Sequence, residues 1–223
     1  MSKKFNTSKL SKQELASHLK KPTGEDGKEV GRQMNKGNKH ICLNSYNVLN
    51  PKSNSLILEI GMGNGYFTKN ILSMNPNLEC TGLDFSQTMV DEAMLLNKKL
   101  INTKKVSFIK GSIEKLPFDN NSFDYITTTN TIYFWPNLID SAKEMYRVLK
   151  PTGKALIGYR SKELMDKIEL TQYNFNKYTK EEIEKLLDKT GFKQIATEVI
   201  SEPDIDFDGI PMSMSGLFTY GLK

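Results

Sequence analysis

From Ser55 onward the chain alternates short apolar runs with longer stretches whose apolar residues recur at helical spacing. The runs "SLILEIG", "LECTGLD", "VSFIKG", "FDYITTTN" and "KALIGYR" read as strands. Between or after them, "YFTKNILSM", "SQTMVDEAMLLNKKL", "LIDSAKEMYRVLK" and "TKEEIEKLLDKTG" read as helices, the last closed by Gly191. Strands joined through helices of this length call for right-handed crossovers and a mostly parallel sheet covered on both faces. Two closing strands, "FKQIATEVI" and "LFTYGLK", are separated only by "SEPDIDFDGIPMSMSG", which reads as a loop and lets the last strand run antiparallel. The expected fold is therefore α/β, a Rossmann-like sheet of seven strands with a reversed last strand.

The pattern before Ser55 is different. Residues 1–21 read as mobile around a short helix in "SKQELASHLKK". The glycine- and asparagine-rich "PTGEDGKEVGRQMNKGNKH" reads as a loop with at most a short helix. A helix in "HICLNSYNVL" then offers Ile41, Tyr46, Val48 and Leu49 to a core. This divides the chain into an arm, 1–50, and a domain, 51–223.

Charge follows the same division. Ten Lys/Arg face four Asp/Glu in the first fifty residues, whereas the remainder is close to neutral, and the whole carries +5. A basic arm suits nucleic acid or an anionic substrate, but it holds only Phe5 and Tyr46 as aromatics, too few for a base-stacking platform. With 38% hydrophobic and 26% charged residues the composition is that of a globular chain, and no apolar run approaches the ~20 residues of a membrane span. The charged N-terminus lacks a signal peptide's apolar centre, so a cytoplasmic address is expected. Two cysteines and two histidines, in no ligand-like spacing, argue against both a disulfide framework and a metal site.

The chemistry concentrates in "LEIGMGNGYF". A strand runs into Gly61, Gly63 and Gly65 and then a helix, the place where open α/β sheets bind ligands. A triphosphate loop needs Gly-Lys-Ser/Thr at its end, and Tyr-Phe-Thr stands there instead. A dinucleotide turn needs a third glycine at 66, where Tyr66 would obstruct helix–strand packing. What remains is acidic-x-G-x-G-x-G, with Glu59 a better partner for a zwitterionic amino-acid tail than for a pyrophosphate. The second strand ends on Asp84, whose two oxygens suit two ribose hydroxyls. Ser86 is placed to cap the next helix, and Phe85 and Met89 to flank an adenine.

This pattern resembles motif I of the class I S-adenosylmethionine-dependent methyltransferases. "FIKGSIEKLPFDNNSFDYI" and "RVLKPTGKALI" are similar to the family's later segments, so that the likeness spans roughly 55–160. The nearest group by pattern is the methyltransferases of ubiquinone and menaquinone synthesis and their relatives. The resemblance implies S-adenosylmethionine as cofactor, S-adenosylhomocysteine as product, and a small-molecule methyl acceptor. It adds Gly111, Ser112, Ile113 and Glu114 as adenine-side contacts, with Ser112 standing where the family often has Asp. Thr129 and Asn130, at the end of the fourth strand, are expected at the cofactor. Met34, Asn35 and Asn38 are expected there too, because family members close the site with elements preceding motif I. Methyl transfer from a sulfonium is an in-line displacement that needs alignment more than a base. Tyr133 is the candidate for a general base or an orienting group, and Arg160 is expected to pair with a surface carboxylate rather than to hold an anionic acceptor. Two other readings stay open: a nucleic-acid or protein methyltransferase using the arm, and a non-catalytic S-adenosylmethionine-binding protein. "NTIYFWPN" lacks the Asn/Asp-Pro-Pro-aromatic motif of base-directed amino methyltransferases.

Overall fold

The computed structural model describes residues 10–207 and 210–223. The expectation of mobility for residues 1–9 lies outside them. Three helices come first: α1 (Lys12–Lys20), α2 (Gly24–Gly37) and α3 (Lys39–Leu49). The alternating part follows as β1 (Leu56–Ile60), α4 (Thr68–Leu72), β2 (Glu79–Asp84), α5 (Gln87–Leu96), α6 (Lys98–Asn102), β3 (Val106–Lys110) and β4 (Phe123–Thr129). It ends with α7 (Leu138–Val148), β5 (Leu149–Tyr159), α8 (Lys162–Met165), α9 (Lys180–Thr190), β6 (Lys193–Phe207) and β7 (Ile210–Leu222). No helix among the described residues is long and apolar enough to cross a membrane.

All seven strands form one sheet in the order β3-β2-β1-β4-β5-β7-β6. The strands from β1 to β5 pair in parallel, and β7 lies antiparallel to both β5 and β6, as the sequence predicts. The chain builds outward from β1 to β3 and then returns to start again at β4. Strand order therefore reverses between β1 and β4, which leaves a crevice at their carboxyl ends.

Apolar runs in the central strands are buried because helices cover both faces. Ile41, Tyr46 and Leu49 of α3 share one cluster with Ile57, Ile71 of α4, Val90 of α5 and Phe218. On the other face Met145 and Val148 of α7 and Leu187 of α9 pack with Ile126, Ile157 and Phe192. Helix α3 is thus built into the domain, although a boundary at residue 50 assigns it to the arm.

Two expectations are corrected. The stretch 22–40, expected as loop, contains the 14-residue helix α2. Glycine lowers helix propensity, but here tertiary packing overrides it: a Cβ on Gly27 would lie 2.6 Å from the Pro22 backbone, and one on Gly31 3.0 Å from the Met89 side chain. Residues 201–207 and 210–216, also expected as loop, are the distal part of the long β6–β7 ladder, with Glu202 paired to Met214. Pro203 and the acidic residues disfavour strand in a local reading, and the ladder accommodates Pro203 where its register shifts between Glu202 and Ile205.

Phe192 enters the core fully buried just after the Gly191 cap of α9, edge-on to Tyr146 with ring centroids 5.1 Å apart. Phe192→Ala is expected to lower stability by about 3–5 kcal/mol, read as a shift of the urea midpoint; a loss below about 1 kcal/mol would show that this core seam is not tightly packed.

Candidate functional site

The crevice at the β1/β4 reversal opens into a cavity of about 210 Å³, walled by the strand tips on one side and by α1, α2 and their linker on the other. Its floor is the glycine turn. Gly61, Gly63 and Gly65 all hold positive φ, at 72°, 59° and 64°, a region that costs residues with a Cβ. The three then diverge in role. A Cβ on Gly61 would strike Thr131 at 2.3 Å, whereas the corresponding position on Gly63 has nothing within 4 Å and faces open space. Gly63 leaves its backbone free for a ligand to approach. Gly65 does not line the cavity. Its missing Cβ makes room for Asn97, Ala93 and Phe108, which pack beneath the turn.

Two carboxylates stand at this turn. Glu59, within β1, accepts a hydrogen bond from the Tyr46 hydroxyl on Oε1 at 2.6 Å, while its Oε2 is buried without a partner. Burial pushes its pKa up to about 7 against the opposing effect of the Tyr46 bond. Asp84, at the tip of β2, accepts from the Gly63 amide at 3.0 Å and the Ser86 amide at 2.8 Å. Its pKa is also raised by burial, to about 6, despite those amide bonds. Both line the cavity. A ligand with an ammonium group and a vicinal diol fits this donor set: the ammonium would meet the free Glu59 oxygen, and Asp84 retains acceptor capacity for hydroxyls.

The other expected residues fall mostly where the sequence places them. Phe85, Met89, Gly111, Ser112, Ile113 and Glu114 form the far wall. Lys21 lies over the Phe85 ring at 5.4 Å, and the Ser112 hydroxyl donates to Glu114 at 3.2 Å, joining the two polar groups of that wall. Thr129 and Asn130 line the cavity from β4, and Met34, Asn35 and Asn38 from α2 and its C-terminal cap.

Ser86 is corrected in part. It caps α5 by accepting from the Met89 amide, as expected, but it does not line the cavity; its buried hydroxyl donates to the Pro22 carbonyl and fastens the α1–α2 linker. Tyr133 is corrected as a base. Its ring is buried, it is absent from the cavity wall, and its hydroxyl accepts from the Arg160 amide at 2.6 Å while donating to Asn130 Oδ1 at 3.0 Å. Burial raises its pKa above the ordinary tyrosine value, further from proton acceptance at neutral pH. Arg160 pairs with a carboxylate, but a buried one and not the surface partner expected: Glu202 of β6 at 2.7 Å, with both side chains out of solvent.

Leu19, Pro22, Gly31, Cys42, Met62 and Thr131 also line the cavity and were not anticipated. The spacing 27–31–34–38 falls on one helical face, and it signals Gly31 once α2 is accepted as a helix. Leu19 and Pro22 carry no comparable local signal, because only the fold of α1 over the crevice brings them there.

Comparison with known proteins gives the same direction. Residues 58–157 match the family described as "Methyltransferase domain". The chain is 33% identical over 107 residues to the uncharacterised methyltransferase YdaC of Bacillus subtilis, covering 48% of this chain and 57% of that protein. It is 35% identical over 108 residues to the ubiquinone/menaquinone biosynthesis C-methyltransferase UbiE of Rickettsia bellii, 47% of this chain and 44% of that one. It thus spans about half the length of these relatives. Among solved structures, a Haloferax volcanii methyltransferase in complex with the Trm112 methyltransferase activator shares the fold, with a TM-score of 0.76 at 20% identity, over 86% of this chain and 92% of that one. A SAM-dependent methyltransferase from Aquifex aeolicus shares it with a TM-score of 0.64 at 18% identity, over 86% and 96%. These agree with the expected class and with S-adenosylmethionine as its cofactor.

The two raised carboxylate pKa values predict opposite pH slopes. A group whose pKa is higher folded than unfolded stabilises fully below its unfolded value and loses that contribution as pH rises through the folded one. The cofactor-free protein should therefore lose stability between about pH 4 and 7 through Glu59 and Asp84. Affinity for S-adenosylhomocysteine should rise over the same interval, because ionised carboxylates bind its ammonium and hydroxyls. Glu59→Gln removes the buried charge. At pH 8 it should stabilise the cofactor-free protein by about 1–2 kcal/mol, roughly 2–8 °C in midpoint, and weaken S-adenosylhomocysteine binding about tenfold or more. Thermal unfolding and calorimetry across pH check both; a variant that loses affinity and stability together would contradict the assignment.

Proposed function

We propose, from the premise that residues 58–157 belong to the methyltransferase-domain family, that the protein transfers the methyl group of S-adenosylmethionine to a small-molecule acceptor. The observation that carries the reading is the pair of buried carboxylates across the glycine turn, Glu59 with an unpartnered oxygen and Asp84 held by two backbone amides. When bound, the cofactor supplies an electrophilic methyl on a sulfonium. What the chain contributes is placement. Glu59 is the residue for the amino-acid tail, Asp84 for the ribose, and Phe85, Met89 and Ile113 enclose the adenine side.

Helices α1 and α2 act as a lid over this arrangement, with Leu19, Pro22 and Gly31 excluding water from the reacting centre. The acceptor enters beside the β4 tip, where Asn130, Thr131, Phe134 and Trp135 meet the cavity. With Tyr133 engaged at both lone pair and proton, no side chain at that end is set up as a strong base. An acceptor that is already nucleophilic at neutral pH fits best, aligned rather than activated. The small cavity, about 210 Å³, favours a compact acceptor over a polymer. Part of the arm's charge is also met by nearby carboxylates, since Lys28 pairs with Glu25, and Arg32 with Glu29 and Glu92.

A methyl-transfer screen over quinols, phenols, amines and carboxylates, alongside tRNA and peptide pools and read by product mass, tests the reading. A methylated small molecule is expected. Methylation confined to RNA or protein would move the assignment to the polymer-directed reading, and no binding of S-adenosylhomocysteine would overturn it.

A further inference from the structure

A line of hydrogen bonds crosses the mouth of the cavity from the strand side to the helix side. The Arg160 amide, just beyond β5, donates to the Tyr133 hydroxyl at 2.6 Å. That hydroxyl donates to Asn130 Oδ1 at 3.0 Å, and Asn130 Nδ2 donates to Asn38 Oδ1, also at 3.0 Å. Asn38 is the joint between α2 and α3: its own amide closes α2 on the Met34 carbonyl at 2.8 Å, and its carbonyl receives the Cys42 amide of α3. Asn130 and Asn38 line the cavity, whereas Tyr133 lies behind its wall.

The direction of the line is fixed at its origin. A backbone amide only donates, so the Tyr133 hydroxyl accepts from Arg160 and has its one proton left for Asn130. That choice orients the Asn130 amide, which an isolated asparagine could present either way round. With its oxygen turned to Tyr133, its nitrogen faces Asn38. Asn130 itself is held in a left-handed conformation, φ 57°, by its amide bond to the Gly158 carbonyl at 2.8 Å, so its backbone cannot swing to compensate. The origin is anchored too, because the Arg160 side chain is tied to Glu202 of the hairpin.

We propose that Tyr133 is a positioning residue whose hydroxyl, acting through the amide of Asn130, fixes Asn38 and thereby the seating of α2 over the cavity. The proposal rests on the reading above only in identifying what the cavity holds; the placement of α2 is a property of the cofactor-free protein. It gives Tyr133 a purpose that proton transfer does not, and it couples the acceptor-side elements, β5 and the hairpin, to the helix that closes the cofactor site.

Tyr133→Phe keeps the ring against Phe134 and Phe175, whose centroids lie 6.1 and 5.9 Å away, and deletes only the hydroxyl. Asn38→Ala breaks the line at its other end. Hydrogen exchange on the cofactor-free protein should show the α2 amides exchanging about tenfold faster in each single variant, the equivalent of one net hydrogen bond, with α9 unchanged. The double variant should exchange no faster than either single one, because both cut the same line. Calorimetry with S-adenosylhomocysteine should show the same non-additive loss of affinity. Unchanged α2 exchange in Tyr133→Phe, a uniform acceleration that includes α9, or additive effects in the double variant would each overturn the proposal. Wild-type protein that fails to bind S-adenosylhomocysteine would count against the function alone, since the exchange measurement still decides the positioning role.

Discussion

Tyr46 donates to one oxygen of Glu59 inside the first strand, and the other oxygen of that carboxylate is buried with no partner at all. Such a group is costly in a protein interior, and the surrounding structure is arranged around that cost. Tyr46 comes from α3, so α3 has to lie on the sheet for the first oxygen to be satisfied. Glu59 itself lines a cavity whose floor is held open by residues without a Cβ and whose roof is made by helices from earlier in the chain. A cationic ligand group meeting the unpartnered oxygen would offset the cost. Stability and ligand affinity are therefore set against each other at one side chain, as is common where function needs a preorganised charge.

Much of this was legible in the sequence because it is local. The glycine turn, the preceding Glu59 and the terminal Asp84 lie within 26 consecutive residues, and each is placed by a strand end. The parts that were not legible depend on distant partners. Helix α2 is disguised by its glycines, whose value appears only when Pro22 and Met89 are seen filling the space a methyl would occupy. The distal hairpin is disguised by Pro203, tolerated where the ladder shifts register. Tyr133 reads as a reactive group in sequence because a phenol beside a cofactor site suggests one. Its partners, the amide of Arg160 and the side chain of Asn130, become visible only when β4 and β5 lie side by side. Gly65 is the same lesson in a conserved-looking motif: its neighbours in sequence suggest ligand contact, and its neighbours in space are α5 and β3.

The division of labour across the sheet follows from these placements. The half from β1 to β3 supplies the carboxylates and the cavity wall of Phe85, Met89 and Ile113, each near a strand tip. The half from β4 to β7 supplies the amide of Asn130, the aromatic wall of Phe134 and Trp135, and the buried Arg160–Glu202 bridge that fastens the hairpin. The first half is specified by backbone geometry, which tolerates little change. The second is specified by side chains on loops and on a long hairpin, where substitutions can reshape an acceptor pocket without disturbing the donor site.

The fastening of the α1–α2 linker has a consequence for the order in which the protein is made. Pro22 is held by Ser86, 64 residues later, and Asn38 by Asn130, 92 residues later. Translation delivers α1 and α2 before these partners, which emerge only after much of the sheet has been synthesised. These helices must wait, as weakly stable segments short of the length that sustains an isolated helix, until the strands that receive them have assembled. The roof of the site is translated before its walls and is among the last parts that can settle.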